Sequence, residues 1–182
     1  ELLELNGLES NEVNWQKFLT GYQDRLGHSL KINNGHVLPG VESLLRELAR
    51  FDHVALGILT GNIQAGAQAK LSHYGLADWF SFGGFGGLHR DRNDIASAAL
   101  KAAKQYVSET SGELSTDVDR VMVIGDTVHD ITCAHSIGAY AVGVATGSTS
   151  ADELAQAGAE LVLEDLTQTD QLLAAIQANQ AA

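Results

Sequence analysis

The stretch VMVIGDTVHDI, residues 121–131, places two carboxylates, Asp126 and Asp130, about one helical turn apart directly after an apolar run. Side chains four apart share a helix face. Two carboxylates held together at a buried strand end raise each other's proton affinity unless a cation lies beside them. A hard divalent ion meets that need, because Mg2+ takes one or two carboxylates, keeps several waters and shares its remaining positions with a phosphate. Acids such as Glu153 and Glu164 stand in solvated contexts and ask for no such partner.

Three other segments carry groups able to hold an anion. They are Thr60-Gly61-Asn62 after an apolar run, Thr146-Gly147-Ser148-Thr149 after another, and GGFGGLHRDRND, which brings Arg90, Asp91, Arg92 and Asp94 to the start of a helical pattern. Each has a purely structural alternative. Thr60, Asp126 and Ser148 are all preferred N-cap types, the glycines serve tight turns, and Arg90 and Arg92 can be ordinary surface charges.

The elements that must position these groups follow from hydrophobic periodicity. Residues 1–34 read as a polar, helix-rich lead-in. Helices are expected at 41–51, 63–76, 93–110, 129–139, 150–159 and 169–180, and strands at 53–61, 78–84, 120–126, 140–147 and 160–166. Strand and helix alternate, so the fold class is α/β: a Rossmann-like parallel sheet with helices on both faces. Ligands of such sheets gather at the carboxyl ends of the strands, where Thr60, Asp126 and Thr146 all fall.

Composition narrows the partners. The chain has 182 residues, 45% hydrophobic and 6% aromatic, with 19 Gly against one Pro, which suits a packed α/β globule with many tight turns. Eleven Lys and Arg against 23 Asp and Glu give a formal charge of −12, the wrong sign for general nucleic-acid binding. No apolar run reaches the length of a membrane helix, and the expectation is a soluble cytoplasmic protein, monomer or homodimer. Cys133 reads as a small buried hydrophobe. The seven histidines show no zinc-type pairing; His129 and His135, six apart, fall on poorly matched faces. Trp15 and Trp79 read as packing residues, and the FGGFGG glycines lack the GK[ST] ending of a nucleotide loop.

The series LGILTGN, GGFGGLHRDRND and VMVIGDTVHDI resembles motifs two, three and four of the haloacid dehalogenase-like hydrolase superfamily, in its phosphoglycolate phosphatase-like branch, in order, spacing and strand context over residues 37–166. HVLPGVESLLREL resembles the family's re-entry into the core from a helical cap. The resemblance divides the chain into residues 1–36, the C-terminal part of a cap, and residues 37–182, the α/β core. It further implies that Thr60, with Gly61 and Asn62, binds the transferring phosphoryl group. Arg92, with Arg90 as the alternative, stands where relatives carry a Lys, and Asp126 and Asp130 hold Mg2+, Asp130 directly or through water. Keeping both acids favours phosphoryl transfer over dehalogenation, which needs no metal.

The family's nucleophile, the first Asp of a DxDGT-like motif at the end of an N-terminal strand, has no counterpart here; nor has the second acid that protonates the leaving group. Glu1, Glu4, Glu9, Glu12 and Asp24 all lie in polar, helix-like context. The expectation is that the core lacks its first strand, that about 40 or more preceding residues would supply it, and that the 182-residue polypeptide alone is inactive. The function implied is a Mg2+-dependent phosphatase of a small phosphorylated metabolite, phosphoglycolate by default, acting through an aspartyl-phosphate. The alternatives are a non-catalytic phosphate- or metal-binding relative and a phosphosugar mutase.

Overall fold

The computed structural model describes residue 4 and residues 7–33, 35–87, 91–111 and 120–178. The first helix described in full is α1 (Glu12–Ile32), whose N-cap Asn11 accepts from the Asn14 amide at 2.9 Å. Helical spacing sets Trp15, Phe18 and Tyr22 in a stacked ladder with centroid separations of 5.4 and 6.1 Å. No residue of α1 is buried. Tyr22 instead covers Gly66, where a β-carbon would lie 2.7 Å from the Tyr22 hydroxyl, so glycine lets α1 approach the helix behind the first strand.

The α/β part follows in strict alternation: α2 (Val41–Leu48), β1 (Gly57–Ile63), α3 (Gln64–His73), a 3₁₀ turn (Ala77–Trp79), β2 (Phe82–Gly86), α4 (Arg92–Ser111), β3 (Met122–Gly125), α5 (Val128–Ser136), β4 (Tyr140–Val144), α6 (Ala151–Gln156), β5 (Leu161–Leu163) and α7 (Thr169–Ala178). Gly40 starts α2 at φ 85°, a left-handed conformation that glycine adopts freely, with the Leu166 backbone pressed against it. The strand expected from residue 53 begins only at Gly57, because Val54 closes a turn onto Phe51 and pairing with the β2 side starts where the Ser81 amide meets the Leu56 carbonyl.

The core lies on both faces of β4, whose residues Ala141–Val144 are all buried. Alternation sorts them. Val142 and Val144 join Leu44 and Leu48 of α2, Leu163 of β5 and Leu172 of α7, while Ala141 joins Ile131 and Ala134 of α5 and Leu154 of α6. Gly143 keeps α6 close, since a β-carbon there would lie 3.0 Å from that of Leu154.

Every strand pairing is parallel, yet the strands form two sheets: β1–β2 and β3–β4–β5. Among the described residues β1 and β3 are each paired along one edge only. Val54 and Leu56, which lead into β1, pack in the same cluster as Met122 of β3, turning β1 rather than β2 towards the second sheet. Helix α4 packs on β1, β2 and α5, and α5 packs on β3 and β4, so the two helices hold the sheets together from one face. An interior strand of an α/β sheet is normally covered throughout. Here neither β1 nor β3 has a buried residue, and Ile124 is 37% exposed.

Two outcomes follow. Leu154→Ala, at a fully buried site, is expected to lower unfolding free energy by about 2–5 kcal/mol in urea titration. In amide exchange by NMR, Val142 and Gly143 are expected to outlast Val123 and Ile124, whose outer edge is unpaired.

Candidate active site

Thr60 is not a helix cap. Strand β1 runs on through Ile63 with a register shift after Thr60, and α3 starts from Ile63 without a side-chain cap. The Thr60 hydroxyl oxygen instead accepts from the Asn62 amide at 3.1 Å and from Asn62 Nδ2 at 3.0 Å. Asn62 Oδ1 in turn accepts from Lys70 Nζ at 3.1 Å, from the last turn of α3. Sequence reasoning missed Lys70; the signal available was a basic residue one helix beyond Thr60, too generic to single out.

Arg92 opens α4, exposed, with its guanidinium over Gly61: a β-carbon on that glycine would lie 3.7 Å from Nη2. The Arg92 carbonyl faces the Cys133 thiol at 3.4 Å. Cys133 sits on α5 three residues after Asp130, so Arg92 joins the β1 half of the rim to the β3 half. A cleft of about 500 Å3 opens beside this junction, lined by Asp91, Arg92, Asn93, His129, Thr132 and Cys133. Cys133 is buried as expected; burial, and secondarily the Asp130 carboxylate, hold its thiol above the ordinary range. Arg90 lies outside the described residues.

The acid pair differs from expectation. Asp126 is exposed and Asp130 half-buried, and among the described residues no charged side chain is buried. The reason is structural: β3 ends at Gly125, and among the described residues no strand neighbours its outer edge to close the rim. Asp130 also has a local role. Thr127 caps α5 in a capping box, in which Asp130 Oδ2 accepts from the Thr127 amide at 3.0 Å and its hydroxyl at 2.7 Å. The cap of α6 is Ser150 rather than Ser148.

Two glycines, neither with a positive φ, make room for the carboxylates. A β-carbon at Gly125 would overlap Asp130, and one at Gly147 would overlap Asp126 Oδ2. Among the described residues no donor engages Asp126 or Oδ1 of Asp130. No group of three or more His, Cys, Asp or Glu side chains there could enclose a metal. Three unengaged carboxylate oxygens on a cleared floor fit a hard ion that takes few protein ligands and keeps its waters. They do not fit a closed zinc cage.

The family described as HAD-hydrolase-like matches residues 95–169. Phosphoglycolate phosphatase of Synechococcus elongatus is 28% identical over 165 residues, 90% of this chain and 70% of the relative. A predicted phosphatase from Clostridium acetobutylicum superposes with a TM-score of 0.57 at 25% identity, over 75% of this chain and 60% of that one. A β-phosphoglucomutase candidate from Thermotoga maritima gives 0.62 at 19% identity, over 96% and 75%. The chain thus spans 60% of some of the solved structures it matches. Among its described residues no helix is long and apolar enough to cross a membrane. By these matches the chain is similar to haloacid dehalogenase-like hydrolases, with the segments that resemble motifs two and four at the ends of β1 and β3 and the one that resembles motif three entering α4.

Proposed function

We propose that the protein is a Mg2+-dependent phosphatase of small phosphorylated metabolites, with phosphoglycolate the first candidate on the strength of its Synechococcus relative. One observation carries this reading: hydroxyl and guanidinium donors beside β1, and carboxylates beyond β3 with three oxygens that no donor engages, flank two strand edges unpaired among the described residues and meet through Arg92. Residues 1–36 are proposed as part of a cap and residues 37–182 as the core, in a cytoplasmic monomer or homodimer. A further strand, absent from this sequence, is proposed to lie between β1 and β3 and to carry the nucleophilic aspartate.

Each residue then has a task. Thr60, with the Gly61 backbone, holds the phosphoryl oxygens, the Asn62 amide being taken by the Thr60 hydroxyl oxygen, and Arg92 offers a planar, permanently charged fork to them. Asp126 and Asp130 Oδ1 would hold Mg2+, which when bound offsets charge on the phosphoryl oxygens. The aspartate oxygen attacks phosphorus in line, the ester P–O bond breaks, and the departing alkoxide takes a proton from a neighbouring acid. Water then cleaves the acyl phosphate, releasing inorganic phosphate and restoring the carboxylate.

The test is hydrolysis of an aryl phosphate by the full-length protein, followed by a panel of phosphate esters. Release of inorganic phosphate that stops in excess chelator supports the reading; undiminished turnover in chelator overturns it. Isomerisation of a sugar phosphate without phosphate release would replace it with a mutase. Asp126→Asn is expected to abolish the metal response. Thr60→Val should lower kcat on the order of 10²-fold, as when one donor to a transition-state oxygen is lost. Gly147→Ala should raise the Mg2+ concentration needed for half-maximal rate while circular dichroism stays unchanged.

A further inference from the structure

The phosphoryl-binding threonine sits at the end of a polar chain that begins at Lys70. A hydroxyl has two acceptor sites and one proton to donate. Both acceptor sites of Thr60 are filled from Asn62, by the backbone amide at 3.1 Å and Nδ2 at 3.0 Å. The Thr60 proton therefore has to point elsewhere, and among the described residues no acceptor takes it.

That arrangement depends on which way the Asn62 amide is turned. Flipped, its Oδ1 would accept the Thr60 proton, and the hydroxyl would be lost to an incoming anion. Its Nδ2 would also point donor to donor at an ammonium that has only protons to give. Lys70 Nζ, 3.1 Å from Oδ1 and half-buried, is what makes the flip unfavourable. The helix sets the distance: α3 starts directly after β1, and Lys70 lies two turns along it on the side that returns to the strand.

We infer that Lys70 is a positioning residue that fixes the Asn62 amide, so that Thr60 serves the phosphoryl oxygens solely as a donor. This rests on the phosphatase reading of the same rim. It also explains how a chain of formal charge −12 keeps a second cation near its anion site without spending it on the ligand. Lys70 is held by Asn62, whereas Arg92 over Gly61 is left to meet the substrate.

The test uses full-length protein and an aryl phosphate with saturating Mg2+. Lys70→Met is expected to lower kcat/KM by about 10- to 100-fold, the usual range for a residue that orients a ligating group. Lys70→Arg, which can still donate to Oδ1, should recover most of the loss. Because Lys70 acts through Asn62, the double variant Lys70→Met/Asn62→Ala should be no slower than Asn62→Ala alone. Additive losses would mean that Lys70 touches the phosphate directly and would overturn the inference, as would equal losses in Met and Arg variants. Should the wild-type protein hydrolyse no phosphate ester, the phosphatase reading fails by itself. The orientation is then read from the Asn62 side-chain amide by ¹⁵N NMR, assigned by its disappearance in Asn62→Asp. A shift in Lys70→Met that Lys70→Arg reverses supports the inference, and an unmoved resonance overturns it.

Discussion

The packing of α4 against α5 is the constraint on which the rest depends. Two parallel sheets, β1–β2 and β3–β4–β5, share no strand pairing. What joins them on this face is a helix pair in which the Cys133 thiol meets the Arg92 carbonyl, 3.4 Å away. Cys133 earns its burial there as a small residue that lets the N-terminus of α4 settle onto α5. Were the helices to separate, the ends of β1 and β3, proposed to hold the anion and the cation, would lose their common rim.

The electrostatics follow from that junction. The molecule repels anions as a whole, so a phosphorylated ligand needs local positive charge and backbone donors. Arg92 and Lys70 supply the first around Thr60, and the acids across the rim suit a divalent ion as the second counter-charge. Glycine enters through absence of bulk. Gly125 and Gly147 clear space for Asp130 and Asp126.

Much of this was legible in the sequence. Strand and helix follow the expected order, but the strand expected at 78–84 lies at Phe82–Gly86 because Ala77–Trp79 close a 3₁₀ turn, and LTGN and GDTVHD fall at the ends of β1 and β3. The failures have physical causes. The acids were expected in a buried pair, but burial depends on a neighbouring strand that pattern alone cannot place, and the outer edge of β3 is unpaired. Capping was open at Thr60, Asp126 and Ser148, and it resolved onto Thr127 and Ser150, each with a carboxylate three residues on. Single residues cannot reveal this; the reciprocal pair can. Lys70 and the glycine clearances were invisible because they are facts of distance between segments.

One rim is proposed to hold a phosphate at β1 and a divalent ion at β3 closely enough for each to favour the other. Calorimetric titration of Mg2+ into full-length protein, with and without a phosphate mimic such as beryllofluoride, tests it most directly. Tighter Mg2+ uptake in the presence of the mimic, lost when Asp126 is replaced by Asn, is the predicted result. Mg2+ binding indifferent to the mimic, or no uptake at millimolar concentrations, would contradict it.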